Sequence, residues 1–69
     1  MFQIKVLTMN ADDSVANTAI AAGSFAERKD AEKWLDDKIA ALPNAGFDRE
    51  HGYWWSREAD IVTRYVIEA

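Results

Sequence analysis

The sequence predicts an α+β domain of order ββαββ: one four-stranded, mainly antiparallel sheet with a single helix packed on one face. Three observations predict it. The first two dozen residues and the last seventeen or so alternate with period two about polar turns, as half-buried strand pairs do. Residues 28–42 change to helical spacing. A chain of 69 residues builds one core, near the lower size limit for folding alone.

The first strand is read from Phe2, Ile4, Val6 and Thr8, an uncharged side alternating with Gln3, Lys5, Leu7 and Met9. Asn10-Ala11-Asp12-Asp13-Ser14 is a turn, because Asn, Asp and Ser side chains bond to nearby backbone. An Ala-rich second strand runs from Val15 to about Ser24. Folding the pair back about Asp12 sets Thr8 opposite Ala16, Val6 opposite Thr18, Ile4 opposite Ile20 and Phe2 opposite Ala22, all on the uncharged face.

In the helix, Ala31, Trp34, Leu35, Ile39 and Leu42 form the apolar stripe, and Asp36 and Asp37 join Lys33 and Lys38 on a solvated side. Glu27, Asp30 and Glu32 complement the positive end of the helix dipole. Pro43 stops the helix, since the residue before a proline is driven out of the α conformation. Asn44-Ala45-Gly46 turns the chain, Phe47 tucks back toward the core, and Asp48 to Gly52 is a polar connection.

The last two strands hold Trp54, Trp55 and both tyrosines. A four-residue Arg57–Asp60 turn would place Trp55 opposite Val62 and Trp54 opposite Thr63. One face then carries Trp54, Ser56, Ile61, Thr63, Tyr65 and Ile67 without a charge, whereas a one-residue slip would bury Arg57 or Arg64 unpaired, costing several (~3–5) kcal/mol. The expected core is Phe2, Ile4, Val6, Ile20, Ala31, Trp34, Leu35, Ile39, Leu42, Trp54, Ile61, Tyr65 and Ile67, with Ala16, Thr18 and Ala22 letting the helix sit close.

One helix covers only one side of such a sheet. Tyr53, Trp55, Arg57, Val62, Arg64 and Val66 fall on the other side, with Lys5 and Leu7 from the first strand, and Met9, Val15, Ala19 and Ala21 extend the patch. A contiguous apolar surface with aromatics marks an interface. The expected function is therefore a small non-enzymatic protein-interaction module, homodimeric or bound to another protein, using this open face or an exposed edge strand. Val15–Ala22 and Ile61–Ile67 are both long and weakly defended as edges. The alternative on the same face is single-stranded nucleic acid or a small ligand, with bases stacked on Tyr53 and Trp55 and cations meeting phosphates. A net charge of -4 and the lack of an RNA-binding sheet signature oppose it.

Other chemistries lack residues. There is no Cys and one His, so neither a thiolate nor a multi-histidine metal site forms within the chain. Asn10-x-Asp12-Asp13 lacks the Gly and Glu of a calcium loop. His51 beside Glu50, with Ser56 nearby, has the residue types of a triad, but the register aims Ser56 at the helix. No phosphate loop or nucleophile elbow occurs. No enzyme activity, cofactor or metal is expected. No apolar run reaches membrane-spanning length and the start alternates like a strand rather than a signal peptide, so a cytoplasmic location is expected.

Overall fold

The computed structural model describes all 69 residues. The chain runs β1 (Phe2–Met9), β2 (Val15–Phe25), α1 (Arg28–Ala40), β3 (Ala45–Asp48), β4 (Tyr53–Glu58) and β5 (Ile61–Glu68). The strands form one antiparallel sheet in the order β2-β1-β5-β4-β3, with α1 on one face. The α+β class and the helix-on-sheet packing are as expected. The strand count is not: there are five strands, and Ile61–Ile67, expected as an edge alongside Val15–Ala22, lies in β5 between β1 and β4, so the edges are β2 and β3.

The additional strand is β3, where a turn and a polar connection were expected. Its four residues include Gly46 and follow Pro43-Asn44, so nothing local marks it as extended. It exists through pairing: Phe47 lies opposite Trp54, and Asp48 opposite Tyr53. Phe47 leans its ring against Trp54, centroids 4.6 Å apart and planes tilted by 50°, yet stays 47% exposed at the sheet margin.

The β4–β5 hairpin keeps its predicted faces but not its predicted turn. Glu58 pairs with Ile61 and Trp54 with Tyr65, so the loop is the tight two-residue Ala59-Asp60, displaced from the expected pairing by two residues. A two-residue displacement preserves which side each residue faces. Ala59 adopts φ 54°, the left-handed region, to close the turn.

The β1–β2 pair departs further. Val6 lies opposite Ala19, Leu7 opposite Thr18 and Lys5 opposite Ile20, one residue out of the expected register, with shifts that skip Ala16 and Ala21. This turns Ile20 and Thr18 to the open face and Ala19 to the helix face. Ile20, expected in the core, is 54% exposed. A further shift at Gly23-Ser24, where Ser24 has φ 68°, swings Phe25 opposite Phe2 and against the core.

The helix ends at Ala40, two residues before the expected Leu42; Ala41 caps it and the Leu42 N–H donates to the Ile39 carbonyl at 3.0 Å. Ala31 and Leu35 are fully buried and meet Ile4, Trp54, Tyr65 and Ile67, while Phe2, Val6, Ala22, Phe25, Trp34 and Ile39 pack around them. Burying a leucine side chain such as Leu35 stabilises by roughly 1.5–3 kcal/mol. Leu42 is half-buried, and Ile61, also expected in the core, is exposed at the hairpin tip. It borders a groove of about 460 Å³ that runs between this tip and the end of the helix at Lys38 and Leu42. Asp36 is not merely solvated: it accepts a 2.9 Å hydrogen bond from the buried Trp54 indole N–H, fastening helix to sheet.

Candidate functional site

The uncovered sheet face is assembled by strand alternation. Lys5 and Leu7 of β1, Tyr53, Trp55 and Arg57 of β4, and Val62, Arg64 and Val66 of β5 share it, because their cross-strand pairs join them: Lys5 with Val66, Leu7 with Arg64, Trp55 with Arg64 and Arg57 with Val62. All eight sequence-derived candidates therefore lie together. Met9 and Val15 belong to the same face, with Met9 opposite Val62 and buried. Ala19 does not, since it pairs with Val6. Ala21 falls in the register shift between β1 and β2.

Arg64 is the centre of this surface. Its guanidinium carbon lies 4.8 Å from the Tyr53 ring centroid, and its Nη2 donates to Asp13 Oδ1 in the first turn. Its side chain is only 24% exposed, and Nε–H is buried without an acceptor. Leaving one such donor unpaired costs about 1–3 kcal/mol, so this arginine is held by its stacking and its ion pair at some expense of stability. Lys5 pairs with Glu68 at 3.1 Å. Lys5 thus keeps its charged end at the exposed margin of the face, whereas Arg64 lays its guanidinium on the face itself. The Trp55 indole packs beside Gly46, where a Cβ would stand 3.4 Å from its Cζ2 and Nε1.

Two features were not foreseen. The first is Asp13 reaching Arg64, a contact between residues far apart in sequence that only the strand order reveals. The second is the Asp48 turn. Asp48 Oδ1 accepts the N–H groups of Glu50 at 3.0 Å and His51 at 3.1 Å, and Oδ2 lies 2.9 Å from His51 Nδ1. A carboxylate only accepts, so Nδ1 carries the proton in this contact. The side-chain bond from His51, followed by its backbone N–H, holds the Asp48 carboxyl below the usual 3.8. The spacing Asp48-x-x-His51-Gly52 is the local signal for this turn, which Gly52 closes at φ 76° by donating to the Asp48 carbonyl at 2.8 Å. In the first turn, the hydroxyl and N–H of Ser14 likewise lower Asp12.

The His51 ring stacks on Tyr53, centroids 5.8 Å apart. A histidine oriented by a carboxylate is the base half of a hydrolytic triad. Ser56, however, lies on the opposite side of β4 and shares a hydrogen bond with Tyr65 OH at 3.2 Å, so the structure separates the serine from the pair. No group of three or more Asp, Glu or His stands where it could hold a metal ion. Tyr53, Trp55, Arg57, Val62, Arg64 and Asp48 line a shallow depression of about 320 Å³. It continues past Arg57, Val62 and Arg64 into a second hollow bordered by Met9, Asn10, Ala11, Asp13 and Asp60. No helix is long and apolar enough to cross a membrane.

Comparison with protein-family models, curated proteins and solved structures finds no match to this chain.

Proposed function

We propose that this protein is a small non-enzymatic interaction module that associates with a second copy of itself or with another protein, through its open sheet face or an exposed edge strand. The observation that carries the reading is the unmatched sheet: five strands have one helical layer, and the second face presents Tyr53, Trp55, Val62 and Val66 with no layer of its own. A contiguous patch of this kind on a small domain is the mark of an interface. Small size supports it too, because association supplements the few (~3–5) kcal/mol that a core of this length provides.

Single-stranded nucleic acid is the weaker reading for the same face. Of its three cations, Lys5 is paired with Glu68 and Arg64 with Asp13, and Asp48 and Asp60 add negative charge at the rims. Arg57 alone is left without a carboxylate partner, its Nε donating to the Ala59 carbonyl at 3.3 Å. Stacking rings with a single free cation do not hold a polyanion well.

Sedimentation velocity across a wide concentration range tests the reading. Concentration-dependent association, or a partner captured by wild type and lost by a folded Trp55→Ser, Val62→Ser variant, is the expected result. A monomer at high micromolar concentration that captures the same proteins with and without those two side chains would sink it.

A further inference from the structure

Building on the self-association reading, we propose that the two copies join edge to edge, β2 pairing antiparallel with β2 of the second copy into one continuous ten-stranded sheet. The two edges of the monomer's sheet differ sharply. β3 is four residues long, follows Pro43 and ends on the charged Asp48, all devices that blunt an edge. β2 is eleven residues long, and all of it is exposed except Ala22 and Phe25, which are half-buried. No charged residue and no proline occurs between Asp13 and Glu27, in a chain where 29% of residues are charged. The outer row of β2 backbone N–H and C=O groups therefore stands without a strand partner and without the lysine or proline that usually guards such a row.

The chemistry of the strand selects its occupant. Asn17, Thr18 and Ala19 are small and neutral and present neither charge nor pocket for a foreign peptide to read. A second β2 matches them in length and places no like charges opposite one another. The chain's net charge of -4 repels a second copy elsewhere on the surface, so this neutral strip is where two copies approach at least electrostatic cost. The register shifts at Ala16 and Ala21 are the one edge-blunting device β2 carries, and they confine pairing to the regular four-residue stretch Asn17–Ile20 between them. A two-fold axis normal to the sheet closes the assembly as a dimer, with both helices on one side. Both open faces then form one floor, with Ile20 beside the seam.

The test uses the full chain in three forms, each first checked for native secondary structure by circular dichroism below its melting range, since loss of a dimer by itself lowers the melt: wild type, Thr18→Lys and Thr18→Asp. Thr18 is exposed and faces Leu7 rather than a charge, so neither substitution strains the monomer. Sedimentation is expected to give a wild-type dimer, two monomeric variants, and a restored dimer when the Lys and Asp variants are mixed. A wild-type dimer that survives both substitutions overturns the edge pairing; if it is lost instead in Trp55→Ser, Val62→Ser, self-association stands and runs through the open face. Wild type that stays monomeric at high micromolar concentration overturns self-association and the edge pairing together.

Discussion

The guanidinium of Arg64 lies 4.8 Å above the ring of Tyr53 while its Nη2 reaches Asp13, so one side chain of β5 ties β4 to the turn between β1 and β2. A planar, delocalised cation can stack and donate at once; an ammonium of the same charge cannot. Tyr53→Leu removes the ring and leaves Arg64 and its bond to Asp13 in place, and is expected to lower unfolding stability by about 0.5–1 kcal/mol, read as a drop in urea midpoint. Unchanged stability would mean that the stacking contributes nothing.

The bond from Trp54 to Asp36 makes a sharper claim, because its donor is buried and its acceptor sits beside a near-twin. Asp36→Ala leaves the indole N–H without an acceptor and is expected to cost about 1–2 kcal/mol. Asp37→Ala removes only an exposed pairing with Lys33 at 3.3 Å and is expected to cost no more than about 0.5 kcal/mol. Parallel urea titrations followed by tryptophan fluorescence compare the two; equal losses would refute the assignment.

What the sequence made legible divides along local and non-local lines. Parity was legible: alternation put Tyr53, Trp55, Arg57, Val62, Arg64, Val66, Lys5 and Leu7 on one face, and the two-residue error at the Ala59-Asp60 turn left that grouping intact. Helical spacing located α1 to within two residues of its end. Register in β2 was not legible, because alanine stands at 16, 19, 21 and 22, on both faces of the strand, and gives no contrast to select one. Beside the turn Met9 still faces Val15 as the expected register requires; the shift that skips Ala16 decided it, sending Ile20 outward. β3 and the Asp13–Arg64 pair were hidden for one reason: each exists only once distant strands have met.

That difference in register is measurable. Ile4 is fully buried, and Ile4→Ala is expected to cost about 2–4 kcal/mol, enough to unfold much of a domain this small. Ile20→Ala on the exposed face is expected to cost under about 1 kcal/mol. Thermal melts of the two variants decide between the observed pairing and one that places Ile20 opposite Ile4.

Ala59 holds φ 54° at the head of its two-residue turn, where an L side chain crowds the following carbonyl. Glycine relieves that crowding, so Ala59→Gly is expected to stabilise by roughly 0.5–1 kcal/mol even though Gly loses more backbone entropy on folding. Ala59→Val should destabilise by at least as much, β-branching being least compatible with positive φ. A Gly variant that melts earlier than wild type would show that the turn is not strained.

Asp48 gives the chain an acid-sensitive element. Its carboxyl lies below the usual 3.8 because His51 Nδ1–H, then the His51 N–H, bonds the ionised form. A depressed carboxyl pKa means that the unfolded chain takes up the proton first. The contribution is therefore complete above the ordinary aspartate range and is lost as pH falls through 3.8 and below. Asp48→Asn keeps an oxygen to accept the Glu50 and His51 N–H groups but removes the charge, which isolates the titration from the turn. Urea midpoints measured between about pH 6 and pH 2 should fall less steeply for the variant than for wild type. Some slope persists, since Asp12, bonded by the Ser14 hydroxyl and N–H, loses its contribution over the same range. Identical slopes would mean that His51 and Asp48 do not hold each other in solution, and would remove the one oriented histidine from the rim of the open face.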